Sequence, residues 1–339
     1  MGTAEQSAVL DDVQLTAKLI FDSISPELML VEEEFERQAR SNIQVVAYIG
    51  DYLRRSGGKR VRPALTILSN YAAGGNGANY SSIRMATVME FLHTATLVHD
   101  DVIDKAETRR NRPSINSEFG NQTAVLMGDW LYMSAFETSL AERSLPILDI
   151  LTAVTRKMTE GELLQLTLLG RTDVTEEQYF DVIARKTAYL FSACCEIGAL
   201  LGGADVRTQN MLRDYGMNLG IAFQLVDDLL DFTGSQDILG KPAGADLLEG
   251  KVSLPLIFLQ QREPEMRSVI QTVISEASYE TVSRAFLHEA LERTGALELA
   301  MERAIEYALA ARAAVESLPD STHAQVLASI PSYIVERDR

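Results

Sequence analysis

Cysteine is nearly absent from this sequence of 339 residues, and the two that occur, Cys194 and Cys195, are adjacent. Adjacent cysteines are poorly placed for an ordinary structural disulfide, so nothing points to an oxidising compartment, and we expect both to be buried. The first residues show no basic segment followed by an apolar stretch, and Gln6 stands where a myristoylation signal needs serine or threonine. No apolar run reaches the ~18 to 20 residues that span a bilayer. We therefore expect a soluble, cytoplasmic protein.

Positive charge is also scarce, with 31 Lys and Arg residues against 48 Asp and Glu residues and a formal net charge of −17. This excess argues against nonspecific binding to nucleic acid or to anionic membranes. The sequence has no phosphate-binding loop of the GxxxxGK[ST] type and no GxGxxG turn after a strand, so nucleotide and dinucleotide binding lack support. Its four histidines do not have the spacing of a zinc site. Local basic clusters can still bind phosphate groups of a small substrate.

Proline is sparse in the middle of the chain, with none between Pro113 and Pro146 or between Pro146 and Pro242. Because proline interrupts helices, long helices are permitted there. Apolar residues recur every three or four positions, and no convincing alternating strand pattern is present. The pattern predicts an all-α protein. Its helices are expected within residues 4–55, with a break at Ser25, and at residues 64–71, 82–105, 122–139, 145–169, 175–201, 206–232 and 296–318.

No linker divides the chain, and a hydrophobic fraction of 46% is enough for a substantial core. We predict a single domain over residues 1–339. Residues 1–55 are expected to form scaffold and subunit-contact helices, residues 56–251 to carry the functional motifs, and residues 252–339 to form C-terminal helices. Residues 234–250 form a loop rich in glycine, aspartate and lysine, which is long enough to move as a lid.

Two acidic DDxxD clusters interrupt the apolar helical pattern. Their carboxylates are those of Asp100, Asp101, Asp104, Asp227, Asp228 and Asp231. The first and last aspartates of each cluster are spaced i, i+4 and share a helix face. Mg²⁺ prefers oxygen ligands and is typically shared between one or two carboxylates and the phosphates of a substrate. A single cluster of this kind is a solvated helix face about as often as it is a metal site. Two clusters in matching helices, however, predict one shared diphosphate site with more than one Mg²⁺.

Cationic and polar residues flank these clusters. Residues 58–63, with the sequence GKRVRP, join a glycine turn to three cations, and Arg109 and Arg110 follow the first cluster within two turns. Such groups supply charge-assisted hydrogen bonds to phosphate, although each alone is as easily a surface patch. His93, two turns before the first cluster, is either a satisfied core histidine or a diphosphate contact, and its position favours the contact. Further donors are Lys186, Thr187, Gln224, Lys241 and Lys251.

Together these motifs resemble those of the trans-isoprenyl diphosphate synthases over residues 57–251. The resemblance implies a single-domain bundle of antiparallel helices around a deep central cavity, usually assembled as a homodimer. It also implies a reaction that joins isopentenyl diphosphate to an allylic diphosphate. The matching segments are residues 58–63, 93–104, 109–110, 128–129, 186–187, 223–228, 240–242, 246 and 250–251.

The resemblance further implies roles for individual residues. The aspartates of both clusters would hold Mg²⁺ against the allylic diphosphate, with Arg109 contributing a contact. Thr187 and Gln224 would help to steady the cationic intermediate. The residues assigned to catalysis are Lys186, Thr187, Gln224 and Lys241. Those assigned to substrate binding are Gly58, Lys59, Arg62, His93, Arg109, Arg110 and Lys251. Of these, the residues that would hold isopentenyl diphosphate are Gly58, Lys59, Arg62, His93 and Arg110.

Product length is expected to depend on how far the growing chain descends between the helices below Asp100. Ala95 and Thr96 are small, whereas short-chain members of the family commonly carry an aromatic ring in this region, so the passage is open. We therefore predict a long-chain product, octaprenyl to decaprenyl, and expect it to need transient contact with a membrane. Candidates for the floor of the passage are Met127, Leu131, Phe136 and Trp130.

Other functions remain possible at this point. A short-chain geranylgeranyl or farnesyl diphosphate synthase would carry the same motifs with a blocked passage. A terpene cyclase shares the Mg²⁺-diphosphate chemistry but lacks the pairing of two DDxxD clusters with a GKRxRP segment. A non-catalytic regulatory subunit would keep the fold, and a helical scaffold that binds Ca²⁺ nonspecifically would leave the basic clusters unexplained.

Overall fold

The computed structural model describes residues 17–43, 45–48, 50, 60–109, 112–234 and 244–336. The helices of the first half are α1 (Ala17–Asp22), α2 (Ser25–Gln38), α3 (Val61–Ala72), α4 (Tyr80–Ile103), α5 (Ile115–Phe119), α6 (Asn121–Leu140) and α7 (Leu145–Leu168). Those of the second half are α8 (Glu176–Ile183), α9 (Tyr189–Leu201), α10 (Val206–Thr233), α11 (Ala245–Leu248), α12 (Leu254–Arg262), α13 (Met266–Glu276), α14 (Arg284–Arg293), α15 (Ala296–Val315) and α16 (Thr322–Glu336). Strands β1 (Thr108–Arg109) and β2 (Arg112–Pro113) form a small antiparallel hairpin after α4.

Helices α4 and α10 begin where the local sequence supplies a side-chain cap for their first amide groups. The Asn79 side chain accepts a hydrogen bond from the Ser82 amide at the start of α4, 2.8 Å away. Asp205 does the same for α10 through the Thr208 amide, also at 2.8 Å. A side-chain oxygen at this position satisfies one of the amides that have no partner within the helix. The helices that carry the two acidic clusters therefore have well-defined starts.

Two features of the secondary structure differ from the prediction. The predicted helix over residues 175–201 is interrupted by a π-helical turn, Ala184–Ala188, which joins α8 to α9. A π turn inserts one extra residue per turn, which leaves no trace in apolar periodicity. The hairpin of β1 and β2 was also not predicted, because strands of two residues are too short to show alternation.

Helix α10 lies at the centre of the bundle and packs against α9 and α15. Gly216 permits the close approach of α9, since a Cβ atom there would lie 2.6 Å from the Phe191 carbonyl oxygen. On the other side of the core, α4 packs against α6 and α3 packs against α9. The buried apolar residues of these helices form one contiguous core, apart from a small cluster around Ala222. This continuity supports our proposal of a single domain.

Cys194 and Cys195 lie in this core as free, fully buried thiols, as predicted. Burial raises the pKa of the Cys195 thiol to about 12, so it stays protonated. No helix in the described part of the chain has the length and apolar character needed to cross a membrane.

Candidate active site

Two adjoining cavities lie between the acidic ends of α4 and α10. The larger has a volume of about 1300 Å³ and the smaller a volume of about 530 Å³. The wall that they share carries one aspartate of each acidic cluster together with predicted cations and polar groups. The side chains that line both cavities are Leu97, Asp100, Arg109, Lys186, Thr187, Gln224 and Asp227.

Asp100 is the carboxylate of α4 that faces both cavities. The Lys186 ammonium lies 3.7 Å from its Oδ2 atom and 2.6 Å from Oε1 of Glu162 on α7. Burial raises the pKa of Asp100 to about 6; Lys186 opposes this shift, whereas Glu162 adds to it. Two carboxylates thus share one lysine. The site is partly dehydrated and carries excess negative charge, which a cation would relieve.

The other two aspartates of the first cluster have different surroundings. Asp104 lines the smaller cavity, and the Lys251 ammonium lies 3.3 Å from its Oδ2 atom and 2.6 Å from Glu249. Burial lowers the pKa of Lys251, but Asp104 and Glu249 outweigh it, so the net shift is upward. Asp101 is 3% exposed and accepts a hydrogen bond of 2.8 Å from Nε of Arg109. In the described arrangement Asp101 therefore anchors Arg109 beside the cavities.

The aspartates of the second cluster also divide between cavity and core. Asp227 lines both cavities, whereas Asp231 is 1% exposed and lines neither. The Asp246 amide lies 3.4 Å from Oδ2 of Asp231, and the Gly244 amide donates to the Asp231 carbonyl at 2.7 Å. These contacts connect α10 to the segment that follows residues 235–243.

Asp228 forms part of a buried hydrogen-bond network. The Tyr179 hydroxyl donates to one oxygen of Asp228 at 2.6 Å, and the Gln224 amide donates to the other at 2.8 Å. Thr187 then donates to the Gln224 amide oxygen at 2.8 Å. Burial, reinforced by Asp246, raises the pKa of Asp228 to about 7. The network fixes the Gln224 amide, which faces both cavities.

The larger cavity continues away from the acidic clusters in two directions. Arg62 and His93, both assigned to substrate binding, line one end of it. The other end runs between α4, α6 and α7, where Thr96, Phe136 and Met158 are among the lining residues. The cavity therefore joins polar, cationic groups to an apolar groove.

The structure places the residues proposed to set product length in different surroundings, some at the cavity and some in the core. Thr96 lines the larger cavity, whereas Ala95 is fully buried and is not among its lining residues. Of the candidate floor residues, Phe136 lines the cavity, while Met127 and Leu131 are buried in the core. Trp130 is only partly buried and packs against the core without lining the cavity. Apolar periodicity in the sequence does not distinguish positions that line the cavity from positions in the core, because several faces of α4 and α6 are buried.

The carboxylates that line these cavities suit a hard divalent cation. Asp100 lies on α4 and Asp104 directly follows it, Asp227 and Asp228 lie on α10, and all four line the smaller cavity. Among the described residues, no three His, Cys, Asp or Glu side chains are close enough to hold a metal ion. Carboxylates distributed along a shared cavity fit an ion that also takes phosphate oxygens, rather than one enclosed in a protein cage.

A model of the polyprenyl synthetase family matches residues 43–290 of this sequence. The chain belongs to the polyprenyl synthetase family. Octaprenyl diphosphate synthase of Escherichia coli (strain K12) is 39% identical over 303 residues, covering 89% of this chain and 93% of that protein. The resemblance to trans-isoprenyl diphosphate synthases and the prediction of a trans-prenyltransferase are thereby confirmed.

Solved structures agree with this assignment. A polyprenyl synthase from Caulobacter crescentus CB15, complexed with calcium and isoprenyl diphosphate, has a TM-score of 0.90 at 33% identity and covers 95% of this chain and 98% of its own. A decaprenyl diphosphate synthase from Rhodobacter capsulatus has a TM-score of 0.89 at 34% identity, with coverages of 95% and 99%. The predicted all-α isoprenoid synthase fold is confirmed.

The structure adds two residues to the site of this polyprenyl synthetase that the sequence analysis missed. Glu162 lines the larger cavity and pairs with Lys186, and Tyr179 holds Asp228. Glu162 carried a usable signal, since it is a carboxylate within an apolar helical stretch, as the clustered aspartates are. Tyr179 carried none, because its partner is distant in sequence.

Some predicted site residues lie outside the described part of the chain. They are Gly58, Lys59, Arg110 and Lys241. Their assigned roles remain predictions.

Proposed function

We propose that this polyprenyl synthetase condenses isopentenyl diphosphate with an allylic diphosphate to form a long-chain trans-polyprenyl diphosphate. The observation that carries the proposal is the pair of adjoining cavities. It joins the carboxylates of two acidic helices and several cations to an apolar groove between α4, α6 and α7. The polar part suits diphosphates, and the groove suits a growing hydrocarbon chain.

The cofactor in this proposal is Mg²⁺, with more than one ion per site. Asp100, Asp104, Asp227 and Asp228 line the cavities and would hold it, and Asp101 and Asp231, which line neither cavity, are the further predicted ligands. When bound, Mg²⁺ would supply a Lewis acid that stabilises negative charge on a leaving diphosphate.

The chain's own residues would assist ionisation of the allylic C–O bond. Lys186 and Arg109 face both cavities and can donate charge-assisted hydrogen bonds to the diphosphate as it departs with the bonding electrons. The apolar groove would exclude water from the allylic carbocation. Thr187 and Gln224 present fixed dipoles beside it. The isopentenyl double bond then attacks, and a proton leaves to the released diphosphate.

The predicted long product, octaprenyl to decaprenyl, rests on the open groove and on the family members found. Thr96 is small at the point where the groove leaves the acidic clusters, and Tyr132 and Phe136 are the aromatic rings of α6 that line the larger cavity. The Escherichia coli relative is an octaprenyl diphosphate synthase and the Rhodobacter capsulatus structure is a decaprenyl diphosphate synthase.

Product analysis tests this proposal directly. The purified protein alone is incubated with farnesyl diphosphate, excess isopentenyl diphosphate and Mg²⁺, and the hydrolysed products are separated by chain length. We expect octaprenyl to decaprenyl products, and none when a chelator removes the metal. Accumulation of geranylgeranyl diphosphate alone would contradict the long-chain proposal. Absence of any product without a second subunit would instead favour a regulatory role.

We also propose that the protein is a homodimer that uses α6. Leu126, Met133 and Leu140 recur at intervals of seven residues on this helix and are 68%, 62% and 49% exposed. A stripe of exposed apolar side chains along one helix is typical of an interface, and its middle residue, Met133, also lines the larger cavity. Two copies related by a twofold axis would bury the stripe against itself.

A further inference from the structure

Arg60 stands directly before α3 in a conformation that arginine rarely adopts. Its φ angle is 48° and its ψ angle is 37°, in the left-handed region. A side chain with a Cβ atom is disfavoured there, so surrounding contacts must hold it. Arg60 lies between Lys59 and Arg62 in the GKRVRP segment, but the predicted contacts to isopentenyl diphosphate were assigned to its neighbours.

The Arg60 guanidinium is fully engaged by two carboxylates from other helices. Its Nε atom hydrogen-bonds to Glu32 of α2, and its Nη2 atom reaches the second oxygen of Glu32 at 3.1 Å. Its Nη1 atom donates to Glu90 of α4 at 2.7 Å. All three guanidinium nitrogens therefore donate to carboxylates. The fixed fork of arginine suits such an arrangement, whereas a lysine ammonium would not reproduce it.

The position of Glu90 gives this ion-pair network a consequence for binding. Arg60, Arg62, Glu90 and His93 all line the same end of the larger cavity. Glu90 is only 7% exposed, and it lies one helical turn before His93 on α4. A buried carboxylate without a partner would repel a diphosphate held by Arg62 and His93. Arg60 supplies the compensating charge.

We infer that Arg60 is a positioning residue for the isopentenyl diphosphate end of the cavity: it neutralises Glu90 and fixes the start of α3, which carries Arg62, without binding phosphate itself. This inference rests on the proposed function for the identity of the ligand. The same network joins α2, α3 and α4, so the N-terminal helices contribute to the binding site through Arg60.

A charge-removal series separates this role from direct phosphate binding. Arg60→Gln should raise the KM for isopentenyl diphosphate about tenfold while changing the KM for the allylic substrate less than about twofold. The double variant Arg60→Gln/Glu90→Gln, in which the uncompensated carboxylate is gone, should recover most of the loss. If Arg60 bound phosphate directly, the double variant would stay as defective as Arg60→Gln, and the inference would be overturned.

A matched control distinguishes positioning from general stability. Arg84 and Glu142 form another ion pair of low exposure, at 15% and 8%, and neither lines the larger cavity. Arg84→Gln should lower the Tm by an amount similar to Arg60→Gln and leave both KM values unchanged. Equal KM effects from the two variants would overturn the inference.

Two further measurements keep the test decisive. If Arg60→Gln does not fold, Glu32→Gln removes part of the network while keeping the arginine, and it should still raise the KM for isopentenyl diphosphate selectively; an unchanged KM would count against the inference. If the wild-type protein forms no product, the proposed function fails. The thermal double-mutant cycle of Arg60 and Glu90 then tests the network independently, with additive Tm changes as the contradicting result.

Discussion

At the residue scale, the second acidic cluster contains a nearly buried carboxylate, Asp228, at the wall of the smaller cavity. Asp228 accepts hydrogen bonds from Tyr179 and Gln224, and Gln224 in turn accepts one from Thr187. Because an amide that donates to Asp228 must direct its oxygen elsewhere, the carboxylate determines which atom Gln224 presents to Thr187. Tyr179, which itself lines the smaller cavity, thus influences the wall shared by both cavities through Asp228 and Gln224.

The first prediction concerns the Tyr179 hydroxyl. Tyr179→Phe removes a hydrogen bond to a buried carboxylate, and we expect kcat to fall roughly tenfold, equivalent to about 1.4 kcal/mol. Steady-state kinetics measure this change. Tyr215→Phe is the control, since it removes the 2.8 Å hydrogen bond to the Leu327 carbonyl in a fully buried position that lines neither cavity. A similar loss of kcat in both variants would show that Tyr179 acts only through stability.

The second prediction concerns pH and stability without metal. Burial raises the pKa of Asp228 to about 7 and that of Asp100 to about 6, above the value of roughly 3.9 expected in the unfolded chain. Between the unfolded and folded pKa values, the folded protein binds more protons than the unfolded chain does. Both groups therefore lower the free energy of unfolding as pH rises from about 4 to 7. In the presence of a chelator, the Tm of Asp228→Asn should therefore fall less between pH 5 and pH 8 than the Tm of the wild-type protein. Parallel Tm profiles would contradict this.

At the scale of elements, the π turn between α8 and α9 is held by close helix packing. A Cβ atom at Gly161 of α7 would lie 2.7 Å from the Arg185 Cβ atom, and one at Gly220 of α10 would lie 2.6 Å from the Ala188 Cα atom. The turn that carries Lys186 and Thr187 therefore fits between two glycines. This close packing sets the distance from the lysine to the aspartates.

The third prediction uses this packing. Gly220→Ala should separate α10 from the π turn, lower stability by about 1 to 3 kcal/mol, and lower kcat as the bond between Thr187 and Gln224 lengthens. Gly202→Ala is a matched control, because its Cβ atom would lie 2.9 Å from Ala73 in a contact that lines neither cavity. The control should lose stability but keep kcat. Unchanged kcat in a folded Gly220→Ala protein would contradict the prediction.

The fourth prediction compares two neighbouring positions of α4. Thr96→Phe places a ring in the larger cavity and should shorten the product. The sequence analysis placed Ala95 beside the same passage, but Ala95 is fully buried, so a ring introduced by Ala95→Phe should chiefly overpack the core and lower the Tm. Product chain length and Tm distinguish the two. Shortening by Ala95→Phe alone would show that the chain follows a different face of α4.

At the scale of the whole molecule, the apolar stripe on α6 yields the fifth prediction. Leu126→Glu places a charge on the most exposed residue of the stripe proposed as the subunit interface and should convert a dimer into a monomer, as measured by light scattering after size-exclusion chromatography. Val206→Glu is the control, because this residue is 71% exposed at the start of α10. A monomeric wild-type protein, or an unchanged mass for Leu126→Glu, would contradict the homodimer proposal.

The sequence by itself determined the helical architecture, the two acidic clusters and the family. Apolar periodicity and helix caps are local properties, so the predicted helix over residues 206–232 agrees with α10 (Val206–Thr233) to within one residue. The motifs are local as well, which is why the clusters were found without the structure. The interruption at Ala184–Ala188 was missed because one extra residue in a turn barely alters that periodicity.

Only the tertiary structure decided which members of each motif face the cavities and which act from the core. Helical spacing places Asp100 and Asp104 on one face, but it does not show that Asp101 anchors Arg109 or that Asp228 meets Tyr179. Nor does it bring Glu90 to Arg60, which depends on how α3 lies across α4. Spacing along a helix fixes directions relative to its own axis, whereas these contacts depend on the packing of separate helices.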